Sequence, residues 1–150
     1  MKKFTTLLMT LGLVLAIANQ ANAAGVGYID YQKVQQNFSF AQQAIKEIDS
    51  KALEMQQYMV DKEKQYKSLD TPLKKQNFEE QTAREFKLKE EAYIRLKATK
   101  EEQVYNKIQA ATKQVLVEQR LDAIVDYRVI FVGGVDISDL VIQKLKTGKF

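Results

Sequence analysis

Between Ala41 and Arg120 the chain has no glycine and a single proline, Pro72, and its apolar residues recur at helical spacing. Ala41, Ile45, Ile48, Ala52, Met55, Met59, Lys62, Tyr66 and Leu69 are separated by alternating steps of four and three. All but Lys62 are apolar or aromatic, which makes a heptad seam about four heptads long. The flanking positions are mostly Gln, Lys, Glu and Asp. So narrow a stripe predicts a helical arm; a helix packed in a globular core shows a wider apolar face. Ser39 stands three residues before Gln42, the spacing of a capping box, and is expected to start this helix. Pro72 cannot sit inside a helix without losing a hydrogen bond and clashing with the preceding turn. Thr71 as N-cap and Pro72 in the first helical position therefore predict a turn near 70–72 and a second helix running to about Gln119.

The second helix has a different pattern. Val104, Ile108, Ala111 and Val115 form a clean four-three-four seam near its end. Continued backward, the same register meets Glu101, Lys97, Ile94, Glu90 and Lys87, while Phe78, Phe86, Tyr93 and Tyr105 scatter around the helix. Glu-to-basic pairs four apart mark a solvated rod: Glu47–Lys51, Glu63–Lys67, Glu80–Arg84, Glu85–Lys89 and Glu91–Arg95. Each adds only about 0.2–0.5 kcal/mol. At about 1.5 Å per residue the helices measure roughly 43 and 72 Å, so the second overruns the base of the first by about 30 Å. The overrun, roughly from Tyr105 to Arg120, carries the clean seam and is expected to pack on the end domain.

Short apolar runs flank the hairpin. Val26 to Asp30 reads as a strand, with Asp30 capping a short helix over Tyr31–Gln36 that Asn37 ends. Leu121–Asp126 and Val129–Val132 read as two strands joined at Tyr127-Arg128, and Gly133-Gly134 closes the second. Asp136 is expected to cap a last helix with Ile137, Leu140, Val141 and Leu145 on its apolar face and Gly148 as its stop. The predicted fold is mainly α with a small β body (α+β): a helical-hairpin, coiled-coil arm (41–120) on a short-stranded oligomerisation domain made of 24–40 and 121–150. Such a body has exposed strand edges and little core, so it is marginal as a monomer. Association through Val26, Tyr28, Ile29, Ile124, Val125, Val129, Ile130, Phe131, Val132, Ile137, Leu140 and Val141 is the expected remedy.

Met1 to Ala23 reads as an export signal: basic Lys2-Lys3, an apolar run from Leu7 to Ala18, and the small residues of Ala21-Asn22-Ala23. The run is shorter than the roughly twenty residues of a membrane span. Cleavage between Ala23 and Ala24 is expected, giving a soluble protein outside the cytoplasm. No cysteine follows to carry a lipid, and the chain has no Cys, His or Trp at all. That excludes disulfides and Cys or His metal sites, and it removes the usual general base at neutral pH. Without Lys2 and Lys3, 21 basic residues face 19 acidic ones, too small an excess for a dedicated nucleic-acid binder. The adjacent pairs Glu79-Glu80, Glu90-Glu91 and Glu101-Glu102 point about 100° apart on a helix and do not converge on a metal or substrate. Gly133-Gly134 is a lone pair, and no phosphate-binding loop is present. No cofactor is expected.

The two ends resemble the Skp/OmpH family of periplasmic chaperones. The similarity lies in Val26-Gly27-Tyr28-Ile29-Asp30-Tyr31-Gln32-Lys33-Val34, in Leu121–Asp126, and in Gly133-Gly134-Val135-Asp136-Ile137-Ser138-Asp139-Leu140-Val141, together with the order of signal, strand, hairpin, strands and helix. The resemblance implies a homotrimer in the periplasm, with a common β-barrel-like body and three arms around a cavity. It implies that unfolded outer-membrane proteins are held there without ATP and that the protein is no enzyme. Some members have a proposed lipopolysaccharide-binding basic patch. Lipopolysaccharide or an anionic membrane surface is therefore a further partner class implied, with no residue of this chain assigned to it.

A holdase of this kind gains avidity from many weak contacts, and aromatic and methionine side chains suit promiscuous surfaces. Tyr58, Phe78, Phe86 and Tyr93 are the candidate client-facing residues of the arm, against the alternative that they pack one helix on the other. Met55 and Met59 lie in the first seam and are expected to be packing. A structural coiled-coil adaptor or spacer of the cell envelope is the competing reading. It predicts one specific partner and no protection of unrelated unfolded proteins.

Overall fold

The computed structural model describes residues 25–148 and 150; the export signal and the Ala23–Ala24 junction lie outside them. Strand β1 (Gly25–Ile29) leads into helix α1 (Tyr31–Gln36) and then the hairpin of α2 (Ser39–Lys67) and α3 (Pro72–Glu118). Strand β2 (Leu121–Asp126), a 3-10 turn (Tyr127–Val129), strand β3 (Val135–Asp136) and helix α4 (Ser138–Thr147) complete the chain. The fold is α+β and mostly helical, with a long hairpin rising from a small three-stranded sheet.

Local chemistry sets the hairpin. The Thr71 hydroxyl accepts from the Lys74 amide at 3.3 Å, and Pro72 opens α3. α1 starts as expected, the Asp30 carboxylate accepting from the Lys33 amide at 2.9 Å, and it stops at Asn37. α2 differs from expectation. Phe38, not Ser39, is its N-cap, and no side chain bonds the first amides. Gln42 turns instead to the Gln36 carbonyl at 2.6 Å, which ties α2 to the end of α1. The capping box loses because Phe38 is buried in the core and fixes where the helix begins.

The sheet is parallel throughout, in the order β2-β1-β3. Arg120, in the left-handed region at φ 52°, turns the chain from α3 directly into β2. Val26, Gly27, Tyr28 and Ile29 pair with Ala123, Ile124, Val125 and Asp126, and a bulge at Gly25/Val26 absorbs one extra residue of β2. Gly27 sits where a Cβ would lie 2.7 Å from the end of the Leu121 side chain and 3.3 Å from Ile124, so a larger residue there would displace Leu121 from its packing.

The expected strand Val129–Val132 does not form. The Asp126 carboxylate accepts from the Arg128 amide at 2.9 Å and from its guanidinium at 2.8 Å, closing a 3-10 turn that ends β2. Gly133 and Gly134, both left-handed at φ 83° and 85°, then return the chain to the free edge of β1, where Val135-Asp136 forms β3. Val129, Phe131 and Val132 are left 71, 101 and 85% exposed.

The core lies where the sheet, the base of the hairpin and α4 meet. Val104, Ile108, Ala111 and Val115 of the α3 overrun pack with Val34, Phe38, Ala41 and Ala44, and with Ile137, Val141, Ile142 and Leu145. The expected role of the overrun holds. Ile137 is the N-cap residue of α4 and the expected cap Asp136 precedes it, yet Asp136 still accepts from the Ser138 amide at 2.9 Å. Ile142 joins the buried face, Leu140 is half-buried, and Gly148 ends the helix in the left-handed conformation.

Ser138 is fully buried and bridges two strand ends. Its hydroxyl donates to Asp136 at 2.6 Å and accepts from the Asp30 amide at 2.9 Å. Ser138→Ala leaves both partners short of a bond. It is expected to cost about 1–3 kcal/mol, read as a lower urea midpoint with unchanged slope.

Candidate binding surface of the helical arm

Charged side chains, as well as apolar ones, hold α2 on α3. Ala41, Ile48, Ala52, Met55, Lys62, Tyr66 and Leu69 are buried or half-buried, as the heptad seam predicts. Ile45 and Met59 instead face outward, each 44% exposed, and Ala44 and Tyr58 take the inward places. On α3 an inward stripe does continue through the middle: Phe78, Thr82, Phe86, Tyr93, Leu96 and Lys100 are half-buried below Val104. It runs back from Val104 in steps of four, to Lys100 and then Leu96, so the register slips by one residue against a strict heptad. The four-three pattern continued backward therefore meets only exposed positions.

The slip places carboxylates opposite ammonium groups. Glu85 accepts from Lys62 at 2.8 Å and from the Tyr58 hydroxyl at 2.7 Å, and Gln81 also bonds it at 2.8 Å. Glu47 takes Lys100 at 2.5 Å. Of the pairs expected within single helices, Glu63–Lys67 and Glu80–Arg84 are present, at 2.6 and 3.9 Å. Glu47 and Glu85 are drawn across the hairpin instead. The Lys62 ammonium also lies 5.2 Å from the Tyr58 ring centroid and 5.3 Å from that of Phe78. Lys62, the polar exception in the seam, is thus the pin of the hairpin, and residues of this kind fix register more than they add stability.

Lys62 first, then Tyr58 and Gln81, hold the Glu85 carboxyl down to about 2. A carboxylate depressed on folding stabilises above its unfolded pKa, near 4.5, and loses that contribution as pH falls toward 2. Carboxyl-carbon NMR is expected to show Glu85 titrating well below the usual glutamate range, and Lys62→Met is expected to return it toward 4.5.

Next to this pin, α2 and α3 part to form a shallow groove of about 440 Å³, open to solvent. Met59, Tyr66, Phe78, Ala83 and Phe86 make its apolar walls, with the Tyr66 and Phe78 rings 6.4 Å apart. Glu63, Glu79, Lys62 and Thr82 edge it. The Glu79 carboxylate beside it raises the pKa of the Tyr66 hydroxyl.

Of the four arm aromatics singled out by sequence, Phe78 and Phe86 meet in this groove. Tyr58 does not; its ring, with Lys89 4.8 Å from the centroid, and its hydroxyl on Glu85 serve the helix contact. Tyr93 is half-buried elsewhere on the stripe. Met59, read as packing, belongs to the groove, and so does Tyr66, which was placed in the seam and not among the client-facing aromatics. The signal for Phe78, Thr82 and Phe86 was present as steps of four along one helix face.

A second apolar surface lies on the sheet. The strand alternation sends Ile29 and Ile124 inward, where they pack with Ile137, Val141 and Leu140 in the chain's own core. Val26, Tyr28, Ala123 and Val125 fall on the opposite face, where Val26 is exposed and the others half-buried; Val129, Phe131 and Val132 are exposed in the loop after β2. Ile130 is half-buried in the loop. The residues expected to form one association core therefore divide into an internal set and an outer set. Among the described residues no group of His, Cys, Asp or Glu is placed to hold a metal ion, and no helix is long and apolar enough to cross a membrane.

No protein-family model and no curated protein sequence matches the chain. Among solved structures, a Caulobacter crescentus protein assigned as an OmpH-like outer membrane chaperone matches over 83% of this chain and 85% of its own, at 16% identity and a TM-score of 0.40.

Proposed function

We propose that this chain is an ATP-independent holdase of the periplasm that keeps unfolded outer-membrane proteins from aggregating, binding them along its arms as a homotrimer. The observation that carries the reading is the arm surface. A long hairpin of alternating charge presents the open Met59–Phe86 groove and the exposed Leu53, Val60, Leu88 and Ile94 as separate small apolar contacts. Each is weak and exchanges quickly, and several together retain an extended chain without fuel for release. The charged residues between them keep the arm and its cargo in solution.

Trimer formation gives the outer sheet face its cover. Val26, Val125 and Phe131 are apolar and at least partly open in the single chain, and large apolar side chains left open suit an interaction site. Three copies is the number implied by the family that the chain's ends resemble, and the export-signal pattern of residues 1–23 supports the periplasm.

The absence of tryptophan from the sequence allows a direct test. Titrating the protein into an unfolded, tryptophan-containing β-barrel protein should shift the tryptophan emission to the blue and saturate at a fixed ratio, with or without ATP. An emission spectrum that does not move, or moves only with nucleotide, contradicts the proposal.

A further inference from the structure

We infer that Met59 is a reversible oxidation site, at which hypochlorous acid converts the thioether to a sulfoxide and the Thr82 hydroxyl receives the new oxygen. The chain has no Cys, Trp or His, so its methionine sulfurs are the softest nucleophiles left for such an oxidant. Met55 and Met59 are the methionines among the described residues. Met55 is half-buried in the helix seam, whereas Met59 is 44% exposed in a groove open to solvent. Access therefore favours Met59. Its sulfur attacks the chlorine of the oxidant and hydroxide leaves. Water then adds to sulfur as chloride departs, and two protons are lost, one of them to the hydroxide. Sulfur gives up two electrons and chlorine takes them, leaving sulfoxide, chloride and one net proton.

Thr82 adds a partner for the product. Its hydroxyl oxygen is buried at the groove and has no hydrogen-bond partner among the described residues. Thr112, farther along the same helix, donates to the Ile108 carbonyl one turn back at 2.8 Å; Thr82 makes no such bond. A thioether is a weak acceptor and leaves this donor unused, whereas a sulfoxide is polar and accepts well. The oxidised side chain is polar where Tyr66, Phe78 and Phe86 present apolar walls. On the holdase reading, oxidation therefore weakens this contact of the arm with an unfolded chain.

The test treats the whole protein with an equimolar amount of hypochlorous acid and locates sulfoxide by peptide mass spectrometry. Met59 is expected to oxidise at least about threefold faster than Met55, and methionine sulfoxide reductase with dithiothreitol is expected to restore the original mass. Oxidation is expected to lower the folding equilibrium constant, read from urea denaturation, by about two- to tenfold more in Thr82→Val than in the parent, the worth of one hydrogen bond. Equal or faster oxidation of Met55, a sulfoxide that the reductase leaves in place, or the same loss in Thr82→Val as in the parent overturns the assignment. The tryptophan emission of an unfolded β-barrel protein reads the consequence. The oxidised protein is expected to bind it about two- to fivefold more weakly, as one contact of several is lost. Met59→Leu, which has no sulfur there, is expected to bind equally before and after treatment. Equal binding by the oxidised and untreated parent removes the effect on clients and keeps the holdase. No binding by either, with Met59 still oxidised selectively, removes the holdase and keeps the oxidation site.

Discussion

Asp in place of both Val125 and Phe131 should turn an assembly into a folded monomer. Phe131 is fully exposed in the single chain and Val125 is only half-buried, so neither supports the internal core. Carboxylates at these two positions would each have to be desolvated, unpaired, in an interface, which costs several kcal/mol per ion. Sedimentation velocity should show the mass of one chain, while far-ultraviolet circular dichroism keeps its helical signal. Ile124→Asp is a poor version of the same experiment. Its side chain packs beside Gly27 and the core, so it should unfold the body and confuse dissociation with denaturation. A doubly substituted protein that stays assembled places the interface elsewhere.

Ile137→Ala should be the most damaging single truncation. The side chain is fully buried, and its amide donates to the Tyr28 carbonyl at 3.0 Å. It therefore joins β1, α4 and the α3 overrun at one point. Removing a buried isoleucine to alanine costs about 2–5 kcal/mol, a large share of a total near 5–15 kcal/mol. Chemical denaturation should show the loss in the midpoint. Leu53→Ala, on the exposed outside of α2, should change stability by less than about 0.5 kcal/mol.

The hairpin was legible because its signals are local. Thr71 and Pro72 act on their own backbone, Asp30 reaches an amide three residues on, and Gly148 needs only its own φ. The seam of α2 was legible in outline for the same reason. The topology of the sheet was not. Val129–Val132 has strand composition, yet the free edge of β1 goes to the two residues Val135-Asp136, because Asp126 and Arg128 close a turn and Gly133-Gly134 redirect the chain. Pairing between distant segments leaves no periodic trace in either one.

The candidate surface was half legible. Phe78 and Phe86 could be singled out by type, but their neighbours on α2 depend on the register between two helices. That register is set by Lys62–Glu85 and Glu47–Lys100, pairs that lie far apart in sequence. Nor was Tyr58 distinguishable from the groove aromatics without knowing that Glu85 faces it. The gradient along the arm was expected from the apolar turns near the end of α3. Val104, Ile108 and Ala111 are buried at the base, and beyond them the stripe is only half-buried. Amide exchange should accordingly be slowest at the base of the arm and faster toward the turn.

Protection of unfolded β-barrel chains is visible in light scattering. An outer-membrane β-barrel protein is diluted out of urea with and without a stoichiometric excess of the assembled protein, in the absence of nucleotide. The holdase account predicts that scattering stays near baseline with the protein and rises without it. Scattering that rises at the same rate in both samples would contradict the account, and would leave the arm as a coiled-coil spacer with one specific partner.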